Sequence, residues 1–375
     1  MTANPLKQLA ELGQSVWYDY IRRDLYKGPE LKRLVEEDGL SGMTSNPTIF
    51  QKAIAETDLY DDAIRRLSAK GRSAAALFEA LAVEDVGGAA DVFRPVFDRA
   101  SGNDGFVSIE VSPALAHDTQ GTIAEVRRLW RACDRPNVMV KIPGTAAGVP
   151  AIRACLAEGI NINITLLFSV PRHREVMEAY LAAMEDRVRA GQPVDRIRSV
   201  ASYFVSRVDT LVDKKLDTIA AGGTGDERKR ARALRGKLAT ANARLAYEAF
   251  EQTFAGDRYR KLAAKGVALQ RPLWASTSTK DPSYPALYYV EALVAPNTVD
   301  TMPPETFETY RKEGHPKVRI HDDLAGAREA FRALAALGIE AAEVAAELEK
   351  EGVQKFQDSF DKALKAVEEK EKAVA

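Results

Sequence analysis

The sequence has few of the residues and patterns that mark several large classes of protein. Only two of its 375 residues are cysteine, Cys133 and Cys155, which excludes a disulfide framework and a four-thiolate zinc site. Its four histidines form no HxH or HExxH pattern, so no metal ligand set is visible. No GxGxxG or phosphate-binding loop follows a strand-like run. We therefore expect a protein that uses neither a metal nor an organic cofactor.

An excess of charge of one sign and long apolar runs are also missing. The chain has 53 Lys and Arg against 54 Asp and Glu, for a net charge of −1, which is not the charge balance of a dedicated nucleic-acid binder. The basic run at 226–237 is interpreted as the outer face of a helix. The apolar stretch ITLLFSV is far shorter than the roughly 18 to 20 residues that span a bilayer, and the N-terminus lacks a secretory signal. We expect a soluble, cytoplasmic protein that binds neither nucleic acid nor membrane.

What the sequence does contain is a regular alternation of short strand-like runs with helical segments. Each run is rich in β-branched or aromatic residues and is bounded by turn residues. Eight parallel strands that alternate with helices predict a (β/α)8 TIM barrel, with a doubly wound open sheet as the alternative. The runs are 15–19, 40–45, 106–111, 137–143, 162–168, 199–204, 272–277 and 297–302.

Additional helices enlarge the predicted barrel, which we interpret as a single domain over residues 1–375. Two or three helices are expected as an insertion near 47–104, and a long charged helix near 225–255. A C-terminal helical extension covers 323–375, and Gly352 is expected to interrupt it.

Two of the helices have N-terminal signals in the sequence. Ser169 is a capping residue followed by Pro171 in the first turn, which predicts a helix start at that point. Asp281 followed by Pro282 predicts a second helix start of the same kind.

The alternation of side chains predicts which strand residues line the barrel lumen. In the third, fourth and fifth strands the apolar residues share one face, which must contact the helices. The opposite face carries Glu110, Lys141, Asn163 and Thr165 into the lumen, near the strand ends where barrel enzymes have their active sites. The same interpretation places further polar residues on the other strands or at their ends, namely Asp19, Thr44, Asn46, Ser202 and Ser276.

A lysine and two carboxylates buried in a barrel have two interpretations. Such charges are costly to bury unless they pair or perform chemistry. One interpretation is a structural network of ion pairs. The other is a reactive amine that attacks a ketone and forms a Schiff base. The residue pattern alone does not choose the substrate.

The ordered motifs of the chain resemble the transaldolase family in its long bacterial form. They are SVWYD, GMTSNPTIF, VSIEV, VKIPGT, GININITLLFS, SVASYFVSRVD, WAST and the tail EGVQKFQDSFDKAL, and together they cover nearly the whole sequence. The resemblance implies a metal-free class I transferase of the pentose phosphate pathway. Such an enzyme moves a dihydroxyacetone unit from fructose 6-phosphate or sedoheptulose 7-phosphate to glyceraldehyde 3-phosphate or erythrose 4-phosphate.

The resemblance also implies roles for the lumen residues. Lys141 matches the lysine that forms the Schiff base. Asp19 matches the acid/base group that takes the proton of the substrate C4 hydroxyl. Glu110 matches the carboxylate that moves protons through a water held by Thr165.

Substrate-binding roles follow from the same resemblance. Asn46 and Asn163 match the amides that hold the dihydroxyacetone hydroxyls, and the site also includes Thr44, Ser202 and Ser276. Arg207 matches the phosphate-binding arginine. The family's shorter members have a second arginine two residues after the serine, where this chain has Ser278. Lys280 is the expected replacement and the reserve candidate for the nucleophile, although its loop is expected to be too exposed to lower its pKa.

Two alternatives to a transaldolase stay open at this stage. A related Schiff-base aldolase would release free dihydroxyacetone instead of transferring it. A catalytically silent barrel would act as a scaffold, although such a lumen has no need of a buried lysine. The sequence allows either a monomer or a homodimer.

Overall fold

The computed structural model describes residues 4–69 and 71–374, and its centre is a closed sheet of eight parallel strands. Each strand pairs with the next, and β8 pairs back onto β1 from Gln14 opposite Thr298 to Tyr18 opposite Met302. The predicted barrel is confirmed, and the open sheet is excluded. The strands are β1 (Gln14–Asp19), β2 (Gly42–Thr44), β3 (Phe106–Glu110), β4 (Val138–Pro143), β5 (Ile162–Leu167), β6 (Ser199–Phe204), β7 (Gln270–Ala275) and β8 (Thr298–Met302).

Helices surround the barrel, and several are additions to the simple alternation of strands and helices. No helix in the described ranges is both long and apolar enough to cross a membrane. Three helices follow β2, as the sequence predicts for 47–104. The helices are α1 (Pro5–Glu11), α2 (Arg23–Lys27), α3 (Glu30–Asp38), α4 (Pro47–Ala55), α5 (Asp61–Ser68), α6 (Ala74–Arg99), α7 (Thr119–Cys133), α8 (Gly148–Ala157), α9 (Val170–Arg189), α10 (Ser206–Gly222), α11 (Gly225–Leu234), α12 (Leu238–Phe254), α13 (Asp257–Ala263), α14 (Tyr288–Ala292), α15 (Pro304–Glu313), α16 (Leu324–Ala335) and α17 (Ala341–Val374).

The strand register decides which side chains meet inside the barrel. Glu110 lies opposite Lys141, and Lys141 lies opposite Asn163, so the predicted alternation is confirmed for these three strands. One layer lower, the ring of Trp17 fills the lumen beside Gly42. A methyl group at position 42 would lie 2.5 Å from that ring, so only glycine fits there. The polar layer therefore rests on a packed aromatic floor.

The end of β5 departs from regular geometry. The pairing between β5 and β6 shifts register between Ile164 and Leu167, and Leu166 has a φ of +59°. A residue with a side chain in this left-handed region costs about 1–3 kcal/mol, and the conformation persists only where the surrounding structure holds it. The irregularity lies directly after Thr165, at the rim of the lumen.

The prediction of one long helix near 225–255 is wrong, because two helices occupy this region. The chain breaks between α11 and α12 at Gly236, which has a φ of +70°. The amide of Gly236 donates to Asp213 of α10, and a methyl group at position 236 would lie 2.8 Å from the ring of Tyr284. The turn is thus required by close packing that the charge pattern does not reveal.

The predicted helix start at Asp281 is also wrong, whereas the one at Ser169 is confirmed. The hydroxyl of Ser169 accepts a hydrogen bond from the first turn of α9. The carboxylate of Asp281 instead caps a local turn by accepting from both the amide and the hydroxyl of Ser283. Pro285 disfavours helical geometry in the residue before it, and α14 begins only at Tyr288.

The sequence predicts that Gly352 interrupts the C-terminal helix, and this prediction is wrong. It is buried within the continuous α17, and a methyl group there would lie 2.9 Å from Cδ2 of Leu166. The absence of a side chain lets α17 lie close against the irregular end of β5. The residue serves close approach rather than helix termination.

One buried carboxylate away from the polar lumen layer supports a prediction about stability. Asp300 of β8 accepts a hydrogen bond from Thr277 at 3.0 Å, and its second oxygen has no partner among the described residues. Burial raises the pKa of this carboxyl to about 7, well above its value of 3.8 in an unfolded chain. Its contribution to stability is therefore greatest below about pH 4 and is lost as the pH rises through 7.

We expect Asp300→Asn to stabilise the protein at pH 8 by up to about 4 kcal/mol and to have little effect at about pH 4. The amide keeps the acceptor for Thr277 and removes the cost of burying a charge. Urea unfolding at both pH values measures this difference. An equal change in the free energy of unfolding at the two pH values would contradict the prediction.

Candidate active site

Lys141 is the central group of a polar cluster at the carboxyl end of the strands. It is only 4 % exposed, and its Nζ lies 3.3 Å from Oε2 of Glu110. The same nitrogen donates a hydrogen bond of 3.1 Å to the carbonyl oxygen of Ser45. Ser45 contributes through its backbone, which side-chain patterns in the sequence cannot indicate.

Glu110 and Thr165 have hydrogen-bonding capacity that the protein does not use. Apart from the ion pair with Lys141, the two carboxylate oxygens of Glu110 have no hydrogen-bond partner among the described residues. The hydroxyl of Thr165 also has none, and all three atoms are buried. Burial raises the pKa of Glu110, and the charge of Lys141 opposes that rise. Groups in this state can accept and return a proton within the lumen.

Asp19 lies on the opposite side of the cluster, at the end of β1. Its Oδ1 accepts a hydrogen bond of 2.8 Å from Thr44, whose hydroxyl is also 3.2 Å from that of Thr301. Burial raises the pKa of Asp19, while Lys141 opposes the rise. Thr301 is a residue that the sequence analysis missed, although the alternation of side chains along β8 could have indicated it.

Three polar side chains form a chain of hydrogen bonds across β3, β5 and β6. The amide of Asn163 donates to the hydroxyl of Ser108 at 3.0 Å, and Ser202 donates to the amide oxygen of Asn163 at 2.7 Å. All three are buried. These bonds fix the orientation of the Asn163 amide.

Asn46 connects the rim of the lumen with α4. Its backbone is extended, with φ −154° and ψ 167°, as expected before Pro47. The side-chain oxygen caps α4 by accepting from the amide of Ile49 at 3.1 Å. The cap occupies the oxygen and leaves the amide nitrogen available at the cavity that Asn46 lines.

Arg207 and Lys280 supply positive charge at the mouth of this cavity. The guanidinium of Arg207 lies 5.0 Å from the ring centre of Phe204 and forms no ion pair within the described part of the chain. Lys280 donates to the hydroxyl of Ser278. Partial burial, followed by the charges of Lys355 and Arg207, lowers the pKa of Lys280. Lys280 is exposed, as the sequence predicts for its loop, although its pKa is lowered.

Ser276 lies directly after β7 rather than on the strand. Its φ is +59°, and its hydroxyl lies 2.9 Å from that of Ser206 at the start of α10. The amide of Ser206 donates to the carbonyl of Ser276 at 3.0 Å. These contacts tie the loop that carries Lys280 to the helix that begins beside Arg207.

The C-terminal helix adds an aromatic residue that the sequence analysis did not place in the site. The ring centre of Phe356 lies 6.0 Å from Nζ of Lys141 and 5.9 Å from Cζ of Arg207. No local signal in the sequence relates the tail to the barrel mouth. Phe356 therefore lies between the buried amine and the cations of the rim.

A cavity of about 170 Å³ borders this cluster and adjoins a wider one of about 840 Å³ at the mouth of the barrel. Glu110 and Asn163 lie behind Lys141 and are not among the residues that line either cavity. The cavities share residues from several strands and from α17. Lys141, Thr165 and Ser202 line the inner cavity and not the wider one. Residues that line both cavities include Asp19, Asn46, Arg207, Ser276, Lys280 and Phe356.

A closed (β/α)8 barrel with a buried lysine, two carboxylates and a cationic rim at the carboxyl ends of its strands has the architecture of an α/β-barrel enzyme. Residues 16–367 match the model of the transaldolase/fructose-6-phosphate aldolase family. The chain belongs to that family.

Curated relatives agree with this assignment over nearly the whole length. The chain is 47 % identical over 373 residues to a transaldolase of Saccharopolyspora erythraea, with 98 % of each chain covered. It is 48 % identical to a transaldolase of Frankia alni, with 96 % of each chain covered. It is 47 % identical to one of Thermobifida fusca, with 97 % of each chain covered.

Proposed function

We propose that the protein is a transaldolase of the pentose phosphate pathway that works through a Schiff base on Lys141. The donor is fructose 6-phosphate or sedoheptulose 7-phosphate, and the acceptor is glyceraldehyde 3-phosphate or erythrose 4-phosphate. The observation that carries the proposal is the buried pair of Lys141 and Glu110, 3.3 Å apart at the carboxyl end of the barrel. A buried amine beside a carboxylate is suited to attack a ketone.

Schiff-base formation requires proton transfers that the neighbouring groups support. Nζ of Lys141 adds to the C2 carbonyl of the ketose, and the resulting carbinolamine loses its hydroxyl as water. Glu110 takes the proton of the amine and delivers one to the departing hydroxyl, through a water that Thr165 orients. The raised pKa of Glu110 suits this exchange, because a carboxyl that is protonated more readily than usual can both take up and return a proton.

Carbon–carbon cleavage is assigned to Asp19. Its carboxylate takes the proton of the C4 hydroxyl, the bond between C3 and C4 breaks, and the aldose leaves. The bonding electrons move into the protonated imine and form an enamine. The enamine then adds to the acceptor aldehyde, and Asp19 returns the proton. Because the imine accepts the electrons, these steps need no metal or organic cofactor.

The polar groups around the amine hold the two ends of the substrate. Asn163, oriented by Ser108 and Ser202, and the free amide nitrogen of Asn46 bind the dihydroxyacetone hydroxyls. A firmly held enamine survives until the acceptor arrives. Arg207 and Lys280 bind the phosphate at the rim, where a guanidinium and an ammonium form charge-assisted hydrogen bonds with it.

We place this activity in the cytoplasm, where phosphorylated sugars are made and consumed. Every side chain in the proposed mechanism comes from one chain. The chemistry is therefore the same in a monomer and in a homodimer.

Borohydride trapping tests the proposal. We expect incubation with fructose 6-phosphate and sodium borohydride to inactivate the protein and to add the reduced sugar to the peptide that contains Lys141, as mapped by mass spectrometry. An adduct on Lys280 alone would reassign the nucleophile, and the absence of any adduct would favour the silent scaffold. Either result would overturn the proposal.

A related aldolase is the second candidate function, because the matching family model includes fructose-6-phosphate aldolase. The two activities differ in what the enamine reacts with: an acceptor aldehyde in a transaldolase, and a proton followed by water in an aldolase. With fructose 6-phosphate alone, a transaldolase releases little free dihydroxyacetone. When an acceptor aldehyde is added, the enzyme transfers the dihydroxyacetone unit to it and forms a new ketose phosphate. Rapid release of dihydroxyacetone without an acceptor would identify the aldolase instead.

A further inference from the structure

The C-terminal helix α17 presents one face to the mouth of the barrel. Gly352, Lys355 and Phe356 are spaced at i, i+3 and i+4, which places them on the same side of the helix. A methyl group at position 352 would lie 3.4 Å from Nη1 of Arg207, and the ring of Phe356 lies over both Arg207 and Lys141. This face therefore borders the cationic rim of the proposed active site.

Six cationic side chains line the wider cavity, and three of them, from three separate elements, act on one another electrostatically. Arg207 comes from the start of α10, Lys280 from the loop after β7, and Lys355 from α17. None of them forms an ion pair within residues 4–69 and 71–374, although ion pairs are frequent elsewhere on the surface. Asp19, Glu305 and Glu351 also line this cavity and act on these cations, but none of them forms an ion pair with the three. An anion bound between the three cations would relieve the repulsion that remains.

The charges of this group act on one another. The pKa of Lys355 is lowered mainly by the charge of Arg207, and the pKa of Lys280 is lowered by burial and then by Lys355 and Arg207. Glu351 opposes the shift of Lys355 but lies outside ion-pair distance. The repulsion shows that the three cations share one electrostatic environment.

We propose that Lys355 is a third ligand of the substrate phosphate, so that the C-terminal helix completes the phosphate site. The inference rests on the proposed transaldolase function and adds a residue from α17 to it. A phosphate dianion has three acceptor oxygens, which a guanidinium and two ammonium groups can satisfy together.

This role makes α17 a determinant of substrate choice. The helix places Phe356 beside the reacting end of the sugar and Lys355 beside the phosphate, one residue apart. A phosphorylated donor would contact both Phe356 and Lys355. Dihydroxyacetone, which has no phosphate, would bind only in the inner cavity beside Lys141.

The test compares Lys355→Gln with Lys362→Gln. Lys362 is an exposed lysine two turns further along α17 that does not line the cavity. We expect Lys355→Gln to raise KM for fructose 6-phosphate by about 10- to 100-fold, the loss typical of a hydrogen bond to a charged group. Lys355→Arg should restore most of the affinity, and Lys362→Gln should leave KM unchanged.

Two further readouts separate phosphate binding from a structural role of the helix. Borohydride trapping of dihydroxyacetone on Lys141 should proceed equally in Lys355→Gln and the unmodified protein, since that donor has no phosphate. Inorganic phosphate should raise the melting temperature of the unmodified protein and of Lys362→Gln, and raise that of Lys355→Gln less. An unchanged KM, a response to phosphate equal to that of the unmodified protein, or an equal loss with both donors would overturn the inference.

The phosphate readout does not depend on catalysis. If trapping never labels Lys141 but phosphate stabilises the protein in a Lys355-dependent manner, the proposed function fails while the anion site stands. If trapping labels Lys141 and phosphate raises the melting temperature equally with and without Lys355, the proposed function is supported and this inference fails.

Discussion

Lys141→Met is expected to lower kcat by at least about 10⁴-fold and to abolish trapping of dihydroxyacetone by borohydride. Methionine has a similar length and no amine, so no covalent intermediate can form. The loss of Nζ also leaves Glu110 buried without its cation, and that carboxyl then becomes protonated. Initial rates with fructose 6-phosphate and erythrose 4-phosphate, together with mass spectrometry of the trapped protein, measure both effects.

Removing one partner of a buried ion pair can itself destabilise a fold by about 3–5 kcal/mol. Lys141→Arg therefore accompanies the first variant, because a guanidinium keeps the charge beside Glu110 but does not form the imine. Lys280→Met is the matched comparison among the lysines of the site. We expect it to weaken binding of fructose 6-phosphate and still allow trapping of dihydroxyacetone on Lys141. Trapping that survives in Lys141→Met and disappears in Lys280→Met would contradict the assignment.

Asp19→Asn is expected to lower kcat by about 10²- to 10⁴-fold, the range typical of a lost general acid or base. The amide can still accept the hydrogen bond from Thr44, so the local geometry is preserved. Schiff-base formation does not use Asp19, and trapping on Lys141 should proceed at a normal rate. Glu110→Gln should show the opposite pattern, with slow trapping, because Glu110 serves the earlier step.

The pH dependence of the unmodified protein gives an independent check on Asp19. Burial raises its pKa above the ordinary value of 3.8, and the carboxylate must be ionised to accept the C4 proton. Activity should therefore fall on the acidic side at a pH above that value, as Asp19 becomes protonated. A kcat of Asp19→Asn close to that of the unmodified protein, or slow trapping in that variant, would contradict the role.

The inner part of the site could be predicted from the sequence because it depends on local alternation along strands. Glu110, Lys141 and Asn163 each occupy the polar face of an otherwise apolar strand, and parallel pairing then brings them to one level. Thr301 lies on β8 and follows the same rule. By contrast, the carbonyl of Ser45 contacts Lys141 through the backbone, which no pattern of side chains can reveal.

The helices show where reasoning from local signals ends. Gly352 has a low helix propensity, yet it lies inside α17 because the end of β5 packs against it. Gly236 divides a charged segment into two helices because Tyr284 occupies the space beside it. At Gly352 the contact with a distant part of the chain outweighs a local preference of about 1 kcal/mol, whereas at Gly236 the helix break agrees with that preference.

The sequence by itself determined the alternation of eight strands with helices and the polar face that the carboxyl ends of the strands share, because these features follow from the short-range periodicity of side chains. Only the tertiary structure decided that the sheet closes, since closure is a pairing of β8 with β1 across most of the chain. The tertiary structure also decided that the tail returns to the barrel mouth with Lys355 and Phe356. The packing of α17 on distant elements sets that placement, and the order of residues within the helix does not encode it.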